Sequence, residues 1–235
     1  LKKFNFNFLI HNYFPPPKTS FNFNLASQNN SIRIKSLNLA KKAIDLCRQI
    51  DSSLYTFHGG FTVDPQKLGV KFPRENISIK PKAIQTFINS LIVLVDLAKS
   101  NGIKLAVEPN VVQKFNLIRN KNRLLLFAEL DEIEILFKFF KKNELGILLD
   151  LGHTAVTSHW LHFKKDNFVE KLCDRVFAIH ISNNNGFQDQ HKSLTKNCWQ
   201  LMNLNLFKKI PIILESINLN IKEIKQNLQL IKESL

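Results

Sequence analysis

Cysteine is scarce in this sequence. The 235 residues include only Cys47, Cys173 and Cys198, an odd number with no Cys-x-x-Cys pair. That excludes a disulfide framework and a thiolate zinc site, and the three are read as ordinary buried thiols. Long apolar runs are missing as well. None reaches the roughly 18–20 residues of a membrane helix, and the N-terminus lacks the basic, apolar and small-residue succession of a secretory signal. A cytoplasmic protein with no membrane partner is expected. Only seven glycines occur. There is no Gly-rich phosphate cradle, repeat, low-complexity stretch or linker, so residues 1–235 are expected to form a single domain. Acidic residues are few, 19 against 33 lysines and arginines, for a formal net charge of +14. Such an excess invites nucleic acid. However, the pairs Lys41–Lys42, Lys141–Lys142 and Lys208–Lys209 are scattered along the chain. The latter two fall where helices end ahead of strands and complement helix dipoles there, so nucleic acid is not the expected partner.

What is present is an alternation of short apolar runs with amphipathic stretches, the pattern of β-α units and a parallel sheet. Six strands are expected, at Phe8–Asn12, Leu54–His58, Lys104–Pro109, Gly146–Asp150, Val176–Ile181 and Pro211–Ser216. Helical periodicity runs through Ile34, Leu37, Ile44 and Cys47, then through Ile84, Phe87, Leu91, Val95 and Ala98, closed by Asn101–Gly102. Further helices are expected near Leu130–Lys141, Asp166–Leu172, Cys198–Phe207 and Asn220–Glu233. The fold class is α/β, a (β/α)8 barrel lacking about its first two β-α units. Six strands do not close an eight-stranded barrel of roughly 250 residues, and the sequence starts at Leu1 without Met. Leu1–Phe6 is then the end of a linker or helix.

The ionisable residues carry the chemistry. Each strand ends in one: His11, His58, Glu108, Asp150, His180 and Glu215. The C-terminal ends of parallel strands share one face, where barrel enzymes hold their sites. His153 and the Asp189–Gln190–His191 segment follow in what read as loops. Imidazole and carboxylate without thiolate suit zinc, manganese, iron, cobalt or magnesium. Other features have plainer readings. His159 and His162 are surface or packing residues, and Pro15–Pro16–Pro17 shapes a rigid loop. The Glu129–Glu134 acidic run opens a helix, and Trp199 and Phe187 serve the core or stack on a ligand.

The segments "LIHNYFPPP", "NLAS", "LYTFHGGFTVDP", "LAVEPN", "GILLDLGHTAV", "VFAIHISNNNGFQDQH" and "IPIILESIN" resemble the xylose-isomerase-like barrel superfamily. It contains sugar and sugar-phosphate isomerases and epimerases, and apurinic endonucleases of the endonuclease-four type. The resemblance implies that Glu108, Asp150, His180 and Glu215 are the shared metal ligands. Residues matching His11, His58, His153, Asp189 and His191 hold additional metals in the endonucleases and commonly line the sugar site in the isomerases. Where an endonuclease has Asn-Thr-Ala-Gly, Asp-Thr-Cys-His and a Gly-rich continuation, this chain has Glu108–Pro109–Asn110–Val111, Asp150–Leu151–Gly152–His153 and His191–Lys192–Ser193. Those flanks resemble the isomerase branch, although Asn183–Asn184–Asn185–Gly186 departs from its frequent Asp-Asn-Asp-Gly.

The expected activity is a metal-dependent isomerase or epimerase of a small sugar or sugar phosphate, moving a proton through an enediolate. Glu108 and Glu215 would share the roles of base and acid between them, and His11, His58, His153 and His191 would bind substrate. The cofactor would be a divalent ion (Mn, Zn, Co or Mg), the partner a small carbohydrate, and the assembly a possible homo-oligomer. The alternatives are an apurinic endonuclease with a trinuclear zinc site and a catalytically inert barrel.

Overall fold

Apolar runs followed by helical periods become β-α units in the computed structural model, which describes residues 6–67 and 70–235. The expectation for Leu1–Phe6 therefore falls, apart from Phe6, outside the described residues. The chain forms two compact units, one of Leu1–Asn110 with Phe115–Gly146 and one of Val111–Lys114 with Ile147–Leu235.

In the first unit lie β1 (Ile10–His11), α1 (Asn30–Gln49), β2 (Leu54–His58), α2 (Lys80–Ser100), β3 (Lys104–Glu108) and α3 (Leu130–Phe139). The strands pair in parallel, with His11 opposite Thr56 and His58 opposite Glu108. Tyr55 and Phe57 are wholly buried, as expected for a parallel strand covered on both faces. Asn29 caps α1 through its side chain, which accepts from the Ser31 and Ile32 amides. Pro81 in the first turn starts α2 without costing a hydrogen bond, and Gly102 at φ +69 ends it as expected. By length and mean hydropathy α2 could cross a membrane. Here Phe87, Ile88, Leu91 and Leu94 put it in the core instead.

β4 (Leu145–Asp150) starts in the first unit and ends in the second. The second unit continues with α4 (Leu151–Leu161), α5 (Lys165–Leu172), β5 (Val176–Ile181), α6 (Trp199–Met202), β6 (Ile212–Leu214) and α7 (Ile221–Glu233). Asp150 stands opposite His180, and Ile181 opposite Leu214. Three sequence expectations need correction. α4 replaces the loop expected after Asp150. It escaped notice because Leu151 to Ser158 is buried all round, which leaves no polar stripe to set a helical period. The expected helix Cys198–Phe207 breaks at Asn203 into α6 and a 3-10 turn over Leu204–Phe207. The outer strands are shorter than expected. Just before β6, Pro211 has no N–H to pair, although its carbonyl accepts from Ile179 N at 2.9 Å.

The loop after β2 is tied down by Asn24, which is buried. Its side chain accepts from Ala26 N (3.1 Å) and Phe61 N (3.0 Å) and donates to Phe61 O (3.2 Å) and Asp64 Oδ1 (2.8 Å). Ser27 Oγ donates to the other oxygen of Asp64 at 2.7 Å. This web gives the "NLAS" and "FTVDP" segments their structural role. Asn24→Ala strands buried amides at Ala26 and Phe61 and should cost about 2–3 kcal/mol in chemical denaturation. Gln85→Ala, at an exposed position, should stay within about 0.5 kcal/mol. The thiols give a second check. Cys47 is buried, and burial pushes its thiol up to about 11, whereas Cys173 is part exposed. A disulfide reagent at neutral pH should modify Cys173 first and reach Cys47 only on unfolding; fast labelling of Cys47 in the folded protein would contradict this.

Candidate metal centre

The strand register decides which donors meet. In the first unit the imidazoles of His11 and His58 converge on one oxygen of Glu108. His11 Nε2 lies 3.4 Å from Glu108 Oε2 and His58 Nδ1 3.2 Å from the same atom. The two rings meet edge to face, with centroids 5.3 Å apart. Thr56, opposite His11 in the ladder, fixes that ring from behind through its hydroxyl, 2.9 Å from Nδ1. Glu108 is wholly buried, and one donor atom from each of the three residues lies within 4.8 Å of the others.

The second unit contains a closed ring of alternating carboxylates and imidazoles. Asp150 Oδ2 is 3.5 Å from His153 Nε2, which is 3.3 Å from Asp189 Oδ2, which is 3.0 Å from His191 Nε2. His191 Nδ1 is 3.7 Å from Glu215 Oε2, which is 3.4 Å from His180 Nδ1, and that atom closes the ring 4.0 Å from Asp150 Oδ2. All six side chains are the strand-end and downstream residues singled out in the sequence.

Local chemistry explains the placement. Asp150 ends β4 and caps α4, its Oδ1 accepting from His153 N at 2.7 Å, which leaves Oδ2 facing the ring. Gly152 fits that first turn closely, since a Cβ there would come within 2.9 Å of Ser182 Oγ and 3.1 Å of Asp150 Oδ1. His191 sits at φ +47. Its turn is clamped by paired hydrogen bonds between Asn183 and Lys192 (2.9 and 2.8 Å) and by Ile217 N donating to His191 O at 2.9 Å. Gln113 Oε1 accepts from Asp189 N at 3.3 Å.

The asparagines that replace the expected acids are occupied within their own loop. Asn183 Oδ1 accepts from Asn184 N (2.9 Å), and Asn185 Oδ1 accepts from Phe187 N and Gln188 N (3.0 Å each). Asn110 and Gln113 are supporting residues to which the sequence pattern assigns no role. Asn110 Nδ2 lies 2.9, 3.1 and 2.9 Å from the carbonyls of Gly59, Gly60 and Leu126, tying the β2 and β3 loops together. The only signal was its place two residues after a strand-end Glu.

The remaining candidates lie apart from the ring. His159 packs on Trp160 and Phe187, at 4.8 and 4.3 Å between centroids, and His162 is the left-handed cap of α4. Trp199 donates to Asp166 at 2.7 Å. The acidic run opens α3 as expected, but Glu132 turns inward. Burial pushes its carboxyl up, opposed by the ammonium of Lys80 and by the amide of Phe127.

Electrostatics suit the ring to cations. Burial alone would push the Asp189 carboxyl up, but hydrogen bonds from His153 and His191 outweigh it and hold the group well below the usual carboxylate range. His191 is raised above 6.5, first by its hydrogen bond to Asp189 and against its own burial, with the charges of Glu215 and Asp150 adding to the rise.

A family model described as "Xylose isomerase-like TIM barrel" matches residues 1–234. An uncharacterized protein of Methanocaldococcus jannaschii is 28% identical over 186 residues, covering 79% of this chain and 61% of that one. Apurinic-apyrimidinic endonuclease 1 of Plasmodium falciparum is 27% identical over 236 residues, 92% of this chain and 34% of its own. This chain thus spans less than two thirds of either relative. The crystal structure of a D-tagatose 3-epimerase-like protein aligns with a TM-score of 0.74 at 21% identity, over 99% of this chain and 78% of that one. At that identity the likeness is one of fold.

The Asp189–His191 contact yields a titration test on metal-free protein. The stabilisation it brings belongs to the protonated imidazole, so it is fully present below about 6.5 and is lost as pH rises through the raised folded value. NMR should find His191 titrating above 6.5, and Asp189→Asn should bring it down. An unmoved His191 would show that the pair does not form.

Proposed function

The chain belongs to the xylose isomerase-like TIM barrel family, and from that premise we propose that the intact protein is a divalent-metal-dependent isomerase or epimerase of a small sugar or sugar phosphate. The observation that carries this reading is a cavity of about 370 Å³ in the first unit, lined by His58 together with Asn12, Tyr13, Asn22, Phe23 and Gln66. Amide and hydroxyl groups set among aromatic faces match a compact polyhydroxylated ligand, whose hydroxyls they pair and whose C–H faces they cover. The volume falls in the range of small-molecule sites.

The donors fit a divalent cation. Buried carboxylates need a counter-charge, and imidazole with carboxylate is a ligand set for manganese, zinc, cobalt or magnesium. In this proposal Glu108, Asp150, His180 and Glu215 would hold the ion. Once bound, it would polarise the substrate carbonyl and the adjacent hydroxyl, making the neighbouring C–H acidic. Glu215, partly open beside His180 and His191, takes the proton from that carbon. Glu108, held between His11 and His58, returns one to the enediolate. His58 and His153 hold substrate oxygens, and His191 orients a hydroxyl.

One observation favours a second reading. The six-donor ring offers more ligands than a single ion takes. A multinuclear site with His11, His58, His153, Asp189 and His191 as further ligands would activate water against a phosphodiester. Elemental analysis of intact protein separates the two. The isomerase reading expects about one ion per chain and metal-dependent proton exchange at a ketose carbon. Glu215→Gln should lower that exchange by roughly 10²- to 10⁴-fold. About three zinc ions per chain, with metal-dependent incision 5′ to an abasic site in duplex DNA, would overturn it in favour of the hydrolase.

A further inference from the structure

The lysine pairs are scattered in sequence, but folding gathers a different set of cations. Arg74, Arg119 and Arg123 line a groove of about 770 Å³ in the first unit, together with Lys80 and with aliphatic walls that include Ile79 and Ile118. The groove is made by the two loops that leave the C-terminal ends of β2 and β3, the ends that carry His58 and Glu108.

Its construction is specific. Arg74 donates to the carbonyls of Leu117 and Phe115, each at 2.9 Å. These bonds fix the guanidinium without neutralising its charge, and its buried Nε has no acceptor among the described residues. Arg119 stands at the tip of a two-residue hairpin, where Ile118 and Lys121 exchange backbone hydrogen bonds of 3.0 Å in both directions. Arg119 and Asn120 take φ of 49 and 58, the left-handed pair of a type I′ turn. Neither is glycine, so the loop adopts a conformation that its side chains disfavour. Lys80 is already held by Glu129 and Glu132 and adds little net charge. Ile79, which precedes the 21-residue helix α2, provides no side-chain cap, so the positive end of that helix opens beside the arginines.

We propose that this groove binds a small phosphate ester, its phosphate held by Arg74, Arg119 and Arg123 and its apolar part lying against Ile79 and Ile118. Guanidinium groups pair with phosphate oxygens in a planar, two-point fashion that ammonium groups cannot match. The volume is that of a nucleotide-sized ligand. The proposal is independent of the metal centre and of the reaction assigned to it.

The test titrates intact protein with adenosine monophosphate, pyrophosphate and adenosine by calorimetry, with a duplex of about 20 base pairs in parallel. One molecule of adenosine monophosphate should bind per chain, pyrophosphate should compete, and adenosine should not bind. The exposed arginines allow a clean variant. The double substitution Arg119→Gln and Arg123→Gln should weaken adenosine monophosphate by about tenfold or more without moving the melting midpoint. Unchanged affinity in that variant, or no saturable binding of either phosphate probe, would sink the proposal. So would duplex binding that falls steeply with salt and is lost in the variant while adenosine monophosphate fails to bind, since the groove would then belong to nucleic acid.

Discussion

The in-register pairing of parallel strands is the constraint on which the candidate site depends. His58 stands opposite Glu108, and Asp150 opposite His180, so each pair of donors leaves its sheet at the same level. Side chains alternate faces along a strand, so a slip of one residue would send one partner to the helix side and the other to the site. The apolar residues beneath prevent that slip. Tyr55, Phe57, Leu105 and Val107 in the first unit, and Leu148, Leu149, Ala178 and Ile179 in the second, are fully buried. Displacing any of those strands would expose or overpack several large side chains at once. The polar site is thus positioned by the apolar ladder below it.

At the end of the ladder, Asp150 shows how one side chain joins fold and site. One oxygen satisfies the first turn of α4, and the other faces His153 and His180. The helix cap fixes the carboxylate's rotation, so its second oxygen arrives at the ring already aimed. On the far side of the ring the Asn183–Lys192 clamp plays the same part for Asp189 and His191. The loop at that clamp contains Asn183 and Asn185 where related loops often carry acids. Each spends its side-chain oxygen on backbone amides. A neutral amide serves a turn as well as a carboxylate does, without adding a negative charge beside a ring that already holds three.

How legible this was in the sequence varied with the kind of signal. A short apolar run closed by an ionisable residue marks a buried strand and its active end, and each of the six such runs contains a strand. The six donors that close these runs are therefore legible from residue order alone, whereas His153, Asp189 and His191 lie downstream of them. α4 was invisible because its turns are buried on every side, so the residues from Leu151 to Ser158 carry no polar period, and His153 read as a loop residue. The groove arginines were invisible for a different reason. Arg74 and Arg119 are far apart in the chain and meet only because two loops, each bent by residues at positive φ such as Asn76, Arg119 and Asn120, fold back over the ends of β2 and β3. No local pattern encodes that meeting.

The same division explains why ligand identity alone does not decide the chemistry. The strand ends supply a donor set that a one-ion proton-transfer site and a multinuclear hydrolytic site can both use, since each needs carboxylates and imidazoles held at the ends of parallel strands. What separates the two is the loops, which set the size of what can approach. Asn110 pins the β2 and β3 loops together through the carbonyls of Gly59, Gly60 and Leu126. Asn24 and Ser27 pin the β2 loop at Asp64. A loop held at so many points keeps the His58 cavity at small-molecule size instead of opening it into a channel. In the first unit the loops, not the strand-end donors, set the size of what can enter that cavity.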